Sequence, residues 1–208
     1  MGAQKGLIFG SAPCESWTFL QRLRQWPDVV IAADGGLQRA RDAGFAPQVY
    51  VGDSDSGGAA EPGLPCVPLK PEKDVTDLEA AYNWARDHGL RQLIFTGCTG
   101  GRLDHHMAAM ALLETAAREG VRGVILDARN RVEFLTPGRH VLPGRGYRYF
   151  SLIPVDPMLL GVTITGARYP LKNRDVRRGD SLTVSNECLG EGVEVSFTAG
   201  CCYFIQST

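Results

Sequence analysis

With 208 residues, 44% hydrophobic and 22% charged, the chain is long enough for one or two domains with a substantial core. A net charge of −1 gives no basic footprint for nucleic acid, and no apolar run approaches the ~20 residues of a membrane span. The six cysteines, at 14, 66, 98, 188, 201 and 202, form no CxxC pair, which argues against a zinc ribbon or thioredoxin-type site and for reduced thiols.

The N-terminal residues lead straight into Leu7-Ile8-Phe9 without a signal-peptide apolar region, so a cytoplasmic location is expected. Strand-like runs follow at 7–9, 29–33, 49–51, 93–96 and 124–126, alternating with helical periodicity at 16–25, 36–43, 76–88 and 103–119. This alternation predicts a parallel sheet covered by helices. Residues 52–71 form a Gly/Pro-rich loop with at most a short strand at 66–69. Near 136 the texture changes to short runs at 147–153, 160–165, 181–184, 193–197 and 202–205, punctuated by turns. The expected fold class is α/β, with a three-layer, Rossmann-like domain over 1–136 and an all-β sandwich or barrel domain over 137–208.

Four short motifs carry the chemistry. Asp53 and Asp55, in Gly52-Asp53-Ser54-Asp55-Ser56, follow the run 49–51. Two hard oxygen donors at the carboxyl end of a strand suit Mg²⁺, although a solvated turn accounts for the same residues. Asp34, followed by Gly35-Gly36, stands at the end of the run 29–33, where a helix N-terminus offers N–H groups to an anion. Lys73, Asp74 and Asp77 flank a helix start at which Thr76 and Glu79 fit a capping box. A cation beside carboxylates also suits a metal–polyphosphate site. Finally, Gly97-Cys98-Thr99-Gly100-Gly101-Arg102-Leu103-Asp104 joins a strand to a helix; its backbone can cradle phosphate and Arg102 can add a forked donor. His105 and His106 are adjacent, so on a helix they diverge too far to share one ion. There is no P-loop, GxGxxG after the first strand, GxSxG elbow or HExxH.

In order and spacing, these motifs together with Gly166-Ala167-Arg168-Tyr169-Pro170-Leu171 and Ser185-Asn186-Glu187 resemble the thiamin pyrophosphokinase family over nearly the whole chain. The resemblance implies transfer of pyrophosphate from ATP to the hydroxyl of thiamin with Mg²⁺, giving thiamin diphosphate and AMP. It also implies a homodimer, with the thiamin site near the subunit boundary. By position, Asp53, Asp55 and Asp77 match metal-site carboxylates. Asp34, Gly35, Lys73, Thr99, Gly100, Gly101 and Arg102 match ATP-binding positions, and Asp77 or Asp104 is placed to accept the hydroxyl proton. Ser185 and Asn186 match the pair bordering the thiamin pocket. Family members often carry an aromatic residue soon after that pair; here Cys188 and Leu189 follow, so Tyr169 or Phe197 is expected to supply the aromatic face. Two other readings stay open at this level. Asp104-His105-His106 spells the triplet of a metal-dependent phosphoesterase class, but His88, the first histidine, comes after the early carboxylates rather than before them. A non-enzymatic nucleotide- or thiamin-binding module is the second.

Overall fold

The computed structural model describes residues 4–53, 63–69 and 74–208. Among the expected site residues, Asp55 and Lys73 lie outside the described residues. The chain divides into two compact units, Met1–Ala128 and Arg129–Thr208.

Among the described residues the first unit contains six strands: β1 (Gln4–Phe9), β2 (Val29–Ala33), β3 (Val49–Gly52), β4 (Cys66–Pro68), β5 (Leu90–Thr96) and β6 (Arg122–Leu126). They pair in parallel in the order β4-β3-β2-β1-β5-β6. Leu7, Ile8 and Phe9 have no exposed surface, as expected where both faces of a parallel sheet are covered. On one face Leu7, Phe9, Val30, Ile94 and Val124 pack with Leu20 and Ala40, residues of a 3-10 helix (Thr18–Leu23) and of α1 (Gly36–Asp42). Toward the other face Phe95 meets Tyr82 of α2 (Asp77–Asp87), and α3 (Leu103–Arg118) buries Leu113 against β6, where a Cβ on Gly123 would crowd it.

The helix expected over 16–25 is only a short 3-10 segment. Its N-cap position is Trp17, which makes no capping hydrogen bond, and Pro27 lies just past its end, so little favours a longer α-helix. Trp17, Phe19, Leu23 and Trp26 still pack onto the core.

The second unit is antiparallel. Strands β7 (Asn130–Leu135), β13 (Cys202–Ser207) and β9 (Tyr149–Pro154) pair in that order. The pairing of β7 with β13 brings the start of this unit ahead of the change in sequence texture near 136. A second set runs β11 (Leu171–Arg177), β10 (Met158–Thr165), β12 (Gly192–Phe197) and β8 (Gly138–Pro143). Leu135, Phe150, Leu152 and Phe204 from the first set share one core with Leu142, Val162, Val176, Val195 and Phe197 from the second.

Residues 181–184, read from sequence as a strand, form a turn in which Val184 N–H donates to the Ser181 carbonyl at 3.1 Å. The apolar signal there was misleading because Leu182 and Val184 are 50% and 44% exposed. No helix among the described residues is long and apolar enough to cross a membrane.

Candidate active site

Strand order reverses between β1 and β5: the chain runs outward from β1 through β2, β3 and β4, then returns to the other side of β1 with β5 and β6. The crevice beyond the carboxyl ends at such a reversal is where open parallel sheets take their ligands. Gly10 and Gly97 follow β1 and β5 and meet there. A Cβ on either would stand 2.6 Å from the other's carbonyl oxygen, so this approach requires glycine on both sides. Ala12 N–H donates to the Gly97 carbonyl at 2.8 Å and ties the two strand exits together.

A cavity of about 600 Å³ opens above them, and Asp34, Asp77, Glu79, Gly101 and Arg102 are among its lining residues. Asp34 reaches it because the backbone turns sharply after β2. Its φ is +50°, a left-handed conformation that Asp tolerates better than most residues. Its N–H donates to the Val51 carbonyl and its own carbonyl starts α1 by accepting from Leu37 N–H, at 2.9 and 3.2 Å. Gly35 is the exposed N-cap of α1. Asp77 opens α2 behind Thr76, whose Oγ1 accepts from Glu79 N–H at 3.2 Å. Thr76 thus caps α2 as expected, and Asp77 is left on the cavity wall.

Asp53 follows β3 and is half-buried. Its carbonyl accepts a 3.3 Å hydrogen bond from the Tyr50 hydroxyl. Burial, then the negative charges of Asp34, Asp53, Cys66 and Asp77, push the Tyr50 phenol above its ordinary value. Three of the expected site carboxylates thus impose a negative potential on one buried phenol. Hard oxygen donors under concentrated negative potential fit a divalent cation. Among the described residues, however, no group of three or more His, Cys, Asp or Glu is close enough to hold an ion.

The turn after β5 has Gly97 and Gly100 at φ +63° and +80°. Thr99 Oγ1 donates to Asp127 Oδ2 at 2.7 Å. Arg102, at the N-cap of α3, binds Asp104 through Nε and Nη2 at 3.2 and 2.6 Å. The Arg102 hydrogen bond pulls the Asp104 carboxyl below its ordinary range. Cys98 lines the cavity, and burial, reinforced by Asp127, pushes its thiol up to about 12.

In the second unit Asn186 is buried, at 4% exposure, while Tyr169 is 57% exposed. Ser185 is exposed, with φ +58° and its N–H bonded to Ser151 Oγ at 3.0 Å. Phe197 is only 3% exposed, belongs to the β core and stacks on His140. The expectation that Phe197 could present an aromatic face is therefore corrected, and Tyr169 remains.

Three residues with a bearing on the site were not anticipated: Ser11 on the cavity wall, Tyr50 beneath the carboxylates, and Asp127 behind the glycine turn. The small residues Gly10-Ser11-Ala12 after an apolar run were the available signal for the first. Tyr50 and Asp127 carried none without the strand order.

The family model "Thiamin pyrophosphokinase, catalytic domain" matches residues 20–125, and "Thiamin pyrophosphokinase, vitamin B1 binding domain" matches residues 139–202. The chain is 31% identical over 185 residues to the thiamine pyrophosphokinase of Bacillus subtilis (strain 168), covering 86% of each. Among solved structures, thiamin pyrophosphokinase from Geobacillus thermodenitrificans superposes with a TM-score of 0.88 at 32% identity, over 99% of this chain and 98% of that one. The Bacillus subtilis thiamine pyrophosphokinase structure gives a TM-score of 0.88 at 28% identity, covering 99% of both.

The reaction class is accordingly that of a kinase, a transferase of phosphorus-containing groups. The chain belongs to the thiamin pyrophosphokinase family and carries out ATP-dependent pyrophosphorylation of thiamin. Enzymes of this family use ATP and a divalent metal.

Proposed function

We propose that the cavity at the β1/β5 reversal binds the ATP polyphosphate and that the divalent metal is Mg²⁺. The single observation carrying this reading is the shared cavity wall of Asp34, Asp77, Gly101 and Arg102. Asp53, Asp55 and Asp77 would hold the metal; when bound, Mg²⁺ neutralises phosphate charge. Arg102, with Lys73, balances the remaining negative charge. Gly101, which lines the cavity just ahead of α3, is our assignment for the backbone N–H that meets the phosphates.

The thiamin hydroxyl oxygen attacks the β-phosphorus of ATP as the bond from that phosphorus to the α,β-bridging oxygen breaks. AMP leaves with the bridging oxygen, and the hydroxyl proton passes to a carboxylate. Asp77 lines the cavity, whereas Asp104 is ion-paired to Arg102 with its carboxyl pulled down and so accepts a proton less readily. A carboxylate that holds Mg²⁺ is also a weaker proton acceptor, so Asp77 is preferred over Asp104 for its place on the cavity wall alone. Asp104 then serves to aim Arg102.

Thiamin carries a permanent cation on a flat ring, which suits an aromatic face and polar contacts. Tyr169, with Ser185 and Asn186 beside it, is our assignment for that face. The domain roles follow the two units, a three-layer Rossmann-like catalytic domain and a β-sandwich thiamin-binding domain. Exposed Tyr169, Leu182, Val184 and Leu189 on the second unit support self-association as a homodimer, and six free cysteines support a cytoplasmic location.

An assay that detects both AMP and thiamin diphosphate from ATP and thiamin, run on the native protein and on Asp34→Asn and Asp77→Asn variants, tests the site. Folded variants with undiminished turnover would sink it.

A further inference from the structure

We infer that Asp127 is a positioning residue for the reaction, acting through Thr99 to hold the 97–102 turn in the shape that receives the ATP phosphates. The inference rests on the reading that those phosphates lie in the β1/β5 cavity.

The turn needs an anchor. It begins at Gly97 and passes through Gly100, both at positive φ. A Cβ on Gly100 would meet nothing within 4 Å, so packing does not fix that part of the loop. The two ends are held by backbone: Gly97 by Ala12 N–H, and Arg102 by the hydrogen bond its carbonyl accepts from His106 N–H at 3.1 Å. Between these ends, the Thr99 hydroxyl donates to Asp127 Oδ2 at 2.7 Å. Asp127 directly follows β6, the parallel neighbour of β5, so it stands at the carboxyl end of the strand beside the one from which the turn departs. A hydrogen bond to a carboxylate is stronger than one between neutral partners.

Thr99 is not among the residues lining the cavity, whereas Gly97, Cys98, Gly101 and Arg102 are. Its hydroxyl points away to the carboxylate, and its backbone carries the flanking residues. Thr99 thus supports the phosphate wall rather than touching phosphate. The Asp127 charge also bears on the buried Cys98 thiol, which places the carboxylate behind two residues of the turn.

The test uses the full chain. Thr99→Val keeps the side-chain shape and removes the donor; Asp127→Ala removes the acceptor. Each is expected to raise the KM for ATP about tenfold or more while the KM for thiamin changes less than about twofold. Thr99→Ser restores the donor and should recover most of the loss. The double variant should be no worse than the worse single one, because both remove one interaction. A purely structural role predicts a lower Tm with an unchanged KM for ATP in the folded fraction, and that result, or additive losses in the double variant, would overturn the inference. If Asp127→Ala does not fold, the near-isosteric Thr99→Val decides alone. Arg102→Ala, measured in parallel, separates the two levels. A raised KM for ATP in Arg102→Ala with none in Thr99→Val rejects only the anchor. No change in either rejects the cavity reading and the anchor with it.

Discussion

Asn186 grips the backbone of Tyr169 from both sides: its Nδ2 donates to the Tyr169 carbonyl at 2.7 Å and its Oδ1 accepts from Tyr169 N–H at 3.0 Å. The same Oδ1 accepts from Glu187 N–H at 2.9 Å, and the Asn186 backbone bridges to Phe150 in both directions. A buried amide used this way fixes where an exposed tyrosine emerges. The Arg168 guanidinium, itself bonded to Glu187, lies 5.7 Å from the Tyr169 ring. Asn186→Ala should therefore destabilise the second unit by about 1–3 kcal/mol, since it strands buried partners, and thermal denaturation measures this. Tyr169→Ala should leave Tm nearly unchanged and raise the KM for thiamin, with Tyr169→Phe closer to native because the ring face is kept. Equal thiamin KM values for all three proteins would remove Tyr169 from the site.

The carboxylates around Tyr50 set a second expectation. Asp53→Asn and Asp77→Asn each remove a charge from the field that pushes the Tyr50 phenol up. Turnover should fall about 10²–10³-fold, the size typical of a lost electrostatic contact in an active site, with the far-UV spectrum unchanged. Excess chelator should abolish activity and Mg²⁺ restore it; full turnover in chelator would contradict the metal assignment.

Arg102 and Asp104 form an exposed ion pair, with side-chain exposures of 73% and 63%. Because the folded Asp104 carboxyl titrates below its ordinary value, its stabilising contribution is present above the unfolded carboxyl range and is lost as pH falls through the depressed folded value. Asp104→Asn should flatten the acid limb of the Tm–pH curve only slightly, since exposed pairs are screened. Arg102→Lys keeps the charge but loses the two-point fork, so it should still raise the KM for ATP.

Tyr82 gives an alkaline prediction away from the site. It has no exposed surface and donates to Glu119 Oε2 at 2.5 Å, while Arg86 binds both Glu119 oxygens. Burial first, then the Glu119 hydrogen bond, push its phenol well above the ordinary value. The unfolded phenol ionises first, so stability should decline as pH rises past ~10. Tyr82→Phe should lessen that decline; an unchanged slope in urea unfolding across this range would refute it.

Much of the first unit was legible in the chain because a parallel strand buried on both faces is a dense apolar run, and its carboxyl end is marked by Asp or Gly. Asp34 and Asp77 could be placed at strand and helix ends from such local signals, and both stand on the cavity wall. The edge strands β8 and β11 left little trace, since most of their side chains face solvent and charged edges discourage further pairing. The turn at 181–184 was misread for the opposite reason, being apolar yet exposed. Phe197 was read from sequence as a candidate aromatic face, and only the packing of two antiparallel sets of strands put it inside.

The sequence by itself determined which kinds of group are present and in what order: paired carboxylates, a glycine turn with an arginine, and a serine–asparagine pair, enough to carry a family resemblance and a reaction. Tertiary structure alone decided that β5 returns beside β1, so that Gly10 and Gly97, far apart in the chain, share the floor of one cavity. It also set Thr99 against Asp127 and Asn186 against Tyr169. Local propensity reports only neighbouring residues, whereas these pairs exist because hydrophobic burial fixes the order of strands, and strand order determines which distant side chains meet.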